Sequence, residues 1–156
     1  MNYEQSINYI HSIPKFRRPL GNVNLEKLLN HLGNPQKKLK FIHIAGTNGK
    51  GSTAAMTAEI LKKSGFKTGL FTSPYLEVFN ERIRINGENI TDNDLAEYVT
   101  RVKAIMEKNN ALVSEFAFIT AVSFLYFYEK QCDIVVLEVG MGGKLDATNV
   151  IDSSLV

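Results

Sequence analysis

The feature that most constrains the fold is a short apolar run that leads directly into a glycine-rich segment and then into a helical pattern. Residues 39–45 have the length and composition of a buried strand, and residues 50–64 have helical spacing. A strand, a glycine-rich loop with a lysine, and a helix in this order are what a phosphate-binding loop requires. The loop consists of Gly46, Thr47, Asn48, Gly49, Lys50, Gly51, Ser52 and Thr53.

Each part of this loop has a physical reason to bind phosphate. Glycines let the backbone turn tightly, so that several N–H groups converge on one concavity. The following helix adds the positive end of its dipole, and Lys50 supplies a point charge for the β- and γ-phosphates. We therefore predict that residues 46–53 bind ATP and that Lys50 takes part in catalysis. The alternative is a glycine-rich turn with an exposed lysine.

The residue after Lys50 affects where the magnesium ion of ATP is expected to bind. Most phosphate-binding loops have a hydroxyl residue there, whereas this chain has Gly51. Ser52 or Thr53 could substitute. Ser73, which follows the second predicted strand, offers another hydroxyl, although an ordinary turn would also explain it.

The rest of the chain alternates helical and strand patterns. Helical spacing or capping signals mark four further stretches: residues 3–12, 24–32, 91–109 and 114–130. Strand-like runs cover residues 67–71 and 133–139, and Asn86-Gly87 is a strong hairpin signal. The run 133–139 is apolar and rich in β-branched residues, so it should be a central parallel strand. The pattern predicts an α/β fold, with a mainly parallel sheet flanked by helices.

Glu138 lies at the carboxyl end of that central strand, where open α/β sheets bind their ligands. A carboxylate is costly to bury there unless a cation accompanies it. Because many nucleotide enzymes hold magnesium with an acid at this place, Glu138 is a candidate metal ligand. A structural carboxylate that caps a helix is the alternative.

The composition excludes several other classes of protein. The chain has 156 residues, 44% of them hydrophobic, and a formal net charge of +2. This charge is too small to indicate nucleic acid or a membrane surface as partner. The single cysteine, Cys132, excludes a disulfide framework and indicates a cytoplasmic setting. Residues 152–156 read as a polar turn followed by the start of a strand, so we expect a truncated part of a longer protein.

Four blocks of the sequence resemble one protein family. Residues 46–52 resemble the phosphate loop of the Mur-ligase superfamily and, within it, of the folylpolyglutamate synthases. Residues 72–76, 79–83 and 137–149 resemble further blocks of that family, in the same order. The similarity therefore extends over nearly the whole chain.

The resemblance implies a ligase that uses ATP and Mg²⁺ to add L-glutamate to the γ-carboxyl of a reduced folate, tetrahydrofolate, through an acyl phosphate. It implies Ser73 and Glu138 as magnesium ligands, with Glu138 and Lys50 as the catalytic residues. It also implies a group of residues that contact the folate. These are Ser114, Phe116, Leu145, Asp146 and Ala147. Core packing is the alternative for Phe116, and capping of Thr148 and Asn149 is the alternative for Asp146.

By the same resemblance, residues 1–156 are the incomplete N-terminal ATP-binding domain of a monomer, and a glutamate-binding domain follows them. We expect this part alone to be inactive. The nearest alternative function is dihydrofolate synthase, with dihydropteroate as acceptor, or an enzyme with both activities. A P-loop NTPase switch or binding module is a further alternative, but the guanine-specific Asn-Lys-x-Asp motif does not occur in the sequence.

Overall fold

The computed structural model describes residues 1–16 and 21–152. Helices and strands follow one another in the order α1 Tyr3–Ser12, α2 Val23–His31, β1 Phe41–Ile44, α3 Lys50–Lys63, β2 Thr68–Phe71, β3 Ile83–Ile85, β4 Glu88–Asn89, α4 Asp92–Lys108, α5 Glu115–Glu129 and β5 Ile134–Glu138. Short 3₁₀ helices cover Pro35–Lys38 and Phe79–Arg82. The sequence did not predict these two, because a single turn is too short to show a helical period.

The sheet has the strand order β1-β5-β2-β3-β4. β5 pairs in parallel with β1 on one side and with β2 on the other, so the prediction that the last strand is central and parallel is confirmed. β3 and β4 extend the sheet in the antiparallel direction. Asn86 and Gly87 connect them with φ values of 51° and 84°, as a two-residue hairpin turn requires.

The helices cover both faces of the sheet. α5 is buried along most of its length and packs with α1, α2 and α4 in the main hydrophobic core. Inside this core the rings of Phe41 and Phe124 meet edge to face, 5.4 Å apart. α3 covers the opposite face through a smaller cluster that includes Ala54, Ala58 and Val136. The predicted α/β fold, flanked by helices, is therefore confirmed.

Side chains of β5 alternate between these two faces, as in any strand. Val135 and Leu137 belong to the core under α5, whereas Val136 belongs to the cluster under α3. Glu138 has the same parity as Val136. It therefore leaves the end of the strand on the side where α3 begins.

Within residues 1–16 and 21–152, no helix is both long enough and apolar enough to cross a membrane. The predicted start of a further strand at the end of the chain falls on residues 153–156. These residues lie outside the part of the chain that the structure describes.

Candidate active site

The phosphate-binding loop connects β1 to α3 through backbone conformations that glycine favours. Gly46 has a φ of 155°, and Gly49, at the N-cap of α3, has a left-handed φ of 75°. Because no side chain caps this helix, its first N–H groups remain available to a ligand. The predicted loop thus presents an uncapped helix N-terminus, which favours an anion.

Lys50 is the first residue of α3 and lies over the loop. Its Nζ is 3.5 Å from the carbonyl oxygen of Thr47, and its side chain passes Gly46. No carboxylate in the described part of the chain forms an ion pair with it. The ammonium group is therefore free to meet a phosphate at the helix N-terminus.

Glu138 lies against the first turn of the same helix. Its side chain is buried, at 4% exposure, and its Oε2 accepts a 2.8 Å hydrogen bond from the backbone N–H of Ser73. A Cβ atom at Gly51 would lie 3.5 and 3.6 Å from the two carboxylate oxygens. The carboxylate therefore lies close to the loop, at the position where most such loops have a hydroxyl residue. The structure brings Ser73, Glu138 and the loop together, and their roles in binding metal and ATP stay predictions.

This arrangement fits a magnesium ion. A carboxylate and a hydroxyl are hard oxygen ligands, and Mg²⁺ is commonly held by one or two carboxylates together with substrate phosphates and water. Glu138 has no ion pair with a described residue, so its buried charge lacks a cation. Residues 1–16 and 21–152 contain no cluster of three or more His, Cys, Asp or Glu suited to a metal. Among the described residues, Ser73 and Glu138 would hold the ion, together with phosphate and water oxygens.

Beside this site is a cleft of about 800 Å³. All five residues predicted to contact folate line it, namely Ser114, Phe116, Leu145, Asp146 and Ala147. Ser73 also lines it, so the cleft and the metal-binding candidates share one residue. The Ser114 hydroxyl accepts a 3.4 Å bond from the N–H of Ala117 at the start of α5, which makes it a helix cap as well.

Phe116 belongs both to the cleft wall and to the core. Its ring packs at 5.8 Å from that of Phe71, while part of the side chain stays accessible. A Cβ atom at Gly140 would come within 2.6 Å of the ring. Gly140 therefore provides the space that the aromatic ring occupies beneath the cleft. The two alternatives for Phe116 are compatible, because one face can pack inward while another faces the cleft.

Asp146 is buried and takes part in a network of internal hydrogen bonds. Its Oδ2 accepts from the N–H of Met141 at 2.7 Å, and its Oδ1 accepts from both the N–H and the hydroxyl of Thr148. Thr148 in turn accepts from Nε2 of His43, 2.9 Å away, because its own proton points to Asp146. Burial lowers the pKa of His43, and the charge of Asp146 opposes this less strongly. The capping alternative for Asp146 is therefore realised, and folate binding by it stays a prediction.

Two other residues of the site received no role from the sequence. Glu81 accepts hydrogen bonds from the N–H groups of Leu76, Glu77 and Val78, and so fixes the loop that follows Ser73. Arg82 lines the cleft. Both lie in the family-like block 79–83, but nothing local in the sequence indicates which of its side chains turns inward.

Comparisons with known proteins agree with this geometry. No family model matches the chain. The folylpolyglutamate synthase of Lacticaseibacillus casei is 45% identical over 156 residues, which cover 97% of this chain and 36% of the relative. The dihydrofolate synthase/folylpolyglutamate synthase of Bacillus subtilis is 40% identical over 158 residues, which cover 98% of this chain and 37% of the relative.

Solved structures give the same result. An FPGS-AMPPCP-folate complex matches with a TM-score of 0.93 and 44% identity, over 98% of this chain and 38% of that one. A bifunctional folylpolyglutamate synthase/dihydrofolate synthase from Yersinia pestis, complexed with AMPPNP and a Mn ion, matches with a TM-score of 0.91 and 30% identity, over 98% of this chain and 37% of that one. The chain thus spans just over a third of the length of these relatives. With such identity and agreement of fold along nearly all of its residues, the chain belongs to the folylpolyglutamate synthase family.

Proposed function

We propose that the whole protein is an ATP-dependent ligase that joins L-glutamate to the γ-carboxyl of a reduced folate, with tetrahydrofolate as the acceptor. The main support for this proposal is the position of Ser73. Its N–H holds Glu138 against the phosphate-binding loop, and the residue also lines the substrate cleft. A substrate in the cleft and a phosphate on the loop would therefore meet at Ser73.

In this proposal the residues have separate tasks. Residues 46–53 and the N-terminus of α3 bind the ATP phosphates, and Lys50 neutralises charge on the transferring phosphoryl group. Ser73 and Glu138 would hold Mg²⁺, and the ion would supply further neutralisation of negative charge. The folate lies in the cleft between Phe116 and residues 145–147. The apolar wall suits an aromatic ring system.

The chemistry needs no covalent bond to the protein. A carboxylate oxygen of the folate attacks the γ-phosphorus of ATP, the bond to the bridging oxygen breaks, and ADP leaves. The amine of glutamate, after loss of a proton, then attacks the acyl carbon, and inorganic phosphate leaves as the amide forms. This chain contributes positioning and electrostatic stabilisation.

We further propose that residues 1–156 are the N-terminal ATP-binding domain. The glutamate-binding domain then corresponds to the part of the relatives that this chain does not span. The monomeric state and the cytoplasmic setting remain proposals, the latter supported by the single, buried Cys132.

Dihydropteroate is a second candidate acceptor. The names of the Bacillus subtilis and Yersinia pestis relatives include dihydrofolate synthase activity. The same activation of a carboxylate would serve this substrate, because its benzoate carboxyl would take the place of the γ-carboxyl. Either acceptor would leave the roles of Lys50, Ser73 and Glu138 unchanged.

An ADP-release assay on the whole protein tests the proposal. Purified protein is given ATP, Mg²⁺ and L-glutamate with either tetrahydrofolate or dihydropteroate. We expect turnover with tetrahydrofolate and a loss of about 1,000-fold or more in Lys50→Ala. Lys63→Ala, at the exposed far end of α3, is the matched control and should retain activity. Near-normal turnover by Lys50→Ala, or no turnover of either acceptor by the unmodified protein, would contradict the proposal.

A further inference from the structure

Arg82 lies at the wall of the substrate cleft and has no role in the reaction described above. It is the last residue of the 3₁₀ helix Phe79–Arg82. Its carbonyl oxygen accepts a 3.1 Å hydrogen bond from the N–H of Thr72, the residue before Ser73. The backbone of Arg82 is therefore fixed beside the point where the cleft meets the phosphate-binding loop.

The guanidinium group of Arg82 lies beside two aromatic rings that pack against each other, with their centroids 5.7 Å apart. Its central carbon lies 5.1 Å from the ring centroid of Tyr75 and 5.4 Å from that of Phe79. Cation–π contacts with two rings restrain the position of the guanidinium group. The side chain is thus positioned before any ligand arrives.

The same guanidinium group lacks an anion. Its Nε is buried without a hydrogen-bond partner, and no described carboxylate lies within ion-pair distance of it. Burial lowers the pKa of Arg82, and the negative charge of Glu115, another cleft residue, opposes this less strongly. Arg82 is half-buried, and a cation that has lost part of its hydration without gaining an anion carries a cost in free energy. A carboxylate brought by a ligand would offset this cost.

The proposed substrate brings such a carboxylate. The glutamate tail of a folate has an α- and a γ-carboxylate, and the γ-carboxylate is consumed in the reaction. The α-carboxylate is attached to the α-carbon, which two methylene groups separate from the γ-carboxylate, and it stays ionised. It must therefore lie close to Ser73 when the γ-carboxylate meets the phosphate. Dihydropteroate has one carboxylate only, and this group itself reacts.

We propose that Arg82 binds the α-carboxylate of the folate's glutamate tail and thereby makes the site specific for acceptors that carry this second anion. The inference rests on the proposed function and deepens it. Arginine suits this role, since its planar guanidinium group can bind a carboxylate through two parallel hydrogen bonds.

Other cations at the cleft are less suited. Lys15 is exposed, and an exposed ammonium group gains little from pairing with a carboxylate in water. His11 packs its ring against Phe79, 6.0 Å away, and lies on the exposed surface of α1. Neither residue combines burial, fixed orientation and an unpaired donor as Arg82 does.

The test compares two acceptors on the whole protein, tetrahydrofolate and the analogue in which γ-aminobutyrate replaces the glutamate tail. The analogue keeps the reacting carboxylate and lacks the α-carboxylate. We expect the unmodified protein to prefer tetrahydrofolate by about 10- to 100-fold in kcat/KM. Arg82→Gln should reduce this preference to nearly 1, mainly by raising the KM for tetrahydrofolate. Arg82→Lys should restore part of the preference, because the charge remains. Lys15→Gln, the matched control, should keep all of it.

The outcomes separate the two proposals. If the unmodified protein ligates neither acceptor, the proposed function fails. If it ligates both equally well, or if Arg82→Gln keeps the full preference, the function stands and the role of Arg82 is wrong. If Arg82→Gln does not fold, Arg82→Lys decides the matter: a reduced preference supports the role of Arg82, and a full preference contradicts it.

Discussion

The backbone N–H of Ser73 donates a 2.8 Å hydrogen bond to Oε2 of Glu138, two residues that are 65 positions apart in the chain. They follow β2 and end β5, which are neighbouring parallel strands. The carboxyl ends of parallel strands meet at one edge of a sheet, where α/β folds bind their ligands. This single bond therefore links the wall of the substrate cleft to the acid at the phosphate-binding loop.

Replacing Glu138 by glutamine should remove metal binding without unfolding the protein. Glutamine keeps the size of the side chain and an oxygen for the Ser73 N–H, but it loses the charge. We expect Mg²⁺-dependent ADP release to fall by about 100-fold or more, at an unfolding temperature close to that of the unmodified protein. Glu59→Gln, on the exposed side of α3, is the control and should show no effect. Unchanged saturation by Mg²⁺ in Glu138→Gln would show that the carboxylate is not a ligand.

Replacing Gly51 by alanine should weaken nucleotide binding without lowering the stability of the fold. The new Cβ would make ordinary contacts of 3.5 and 3.6 Å with the oxygens of Glu138, so the fold can accept it. Alanine in a helix is favoured over glycine by roughly 0.5–1 kcal/mol, and the unfolding temperature should stay equal or rise. The methyl group narrows the space between loop and acid, so the KM for Mg-ATP should rise by about 10- to 100-fold. A lower unfolding temperature, or an unchanged KM, would contradict this account.

Replacing Gly140 by alanine should destabilise the protein and disturb the cleft. The added Cβ would lie 2.6 Å from two ring atoms of Phe116 and 3.1 Å from Oδ2 of Asp146. Since the ring packs on Phe71, we expect a loss of about 1–3 kcal/mol in the free energy of unfolding. Folate binding, measured by titration, should weaken as well.

Gly143→Ala is the matched control for this substitution, because no atom lies within 4 Å of its added Cβ. Equal unfolding free energies for the two variants would show that Phe116 moves aside without cost. Comparing the two variants also separates the steric effect of the methyl group at residue 140 on Phe116 from the general effect of stiffening the backbone.

The loop after Ser73 should loosen in acid because of Glu81. Hydrogen bonds from the backbone N–H of Leu76, then from that of Val78, are the main causes that lower the pKa of this carboxyl below its ordinary 4.5. A group whose pKa is lower in the folded state stabilises that state above the ordinary pKa. The contribution is lost as the pH falls through the lowered value. The amide protons of residues 76–78 should therefore exchange faster at pH values below the ordinary pKa of 4.5 than expected from pH alone.

Glu81→Gln should produce the same fast exchange already at pH 7, whereas Glu77→Gln should not. Hydrogen exchange followed by NMR measures both. Slow exchange of residues 76–78 in Glu81→Gln would mean that the loop is held by something other than this carboxylate.

The sequence predicted the elements of the fold well wherever the signal was local. The helix predicted for residues 91–109 corresponds to α4, and the hydroxyl of Thr91 caps it by accepting a 3.1 Å hydrogen bond from the N–H of Asp94. The hairpin at Asn86-Gly87 and the central strand β5 were predicted from turn chemistry and apolar composition alone. These features depend on residues that are neighbours in the chain, so periodicity and capping rules can predict them.

The site was only partly predictable. Residues 46–53 form a local motif, and the family resemblance supplied Ser73 and Glu138. The sequence offered Thr148 as a partner of Asp146, but it could not show the link through Thr148 to His43, which is 105 positions away in the chain. The placement of Arg82 beside Tyr75 and Phe79 also depends on tertiary packing. A charged residue in a polar stretch gives no sign of this in the sequence.

Because side chains alternate along β5, the stability of the protein and the direction of the Glu138 side chain depend on the same strand register. A slip of this strand by one residue would turn Glu138 into the aromatic core and expose Leu137 at the loop. Burying an unpaired carboxylate there would cost several kcal/mol, a large share of the stability of a small domain. A mutation that allowed the slip would therefore lower the free energy of unfolding and also move the carboxylate away from the phosphate-binding loop. The packing of β5 and the direction of the Glu138 side chain cannot change independently.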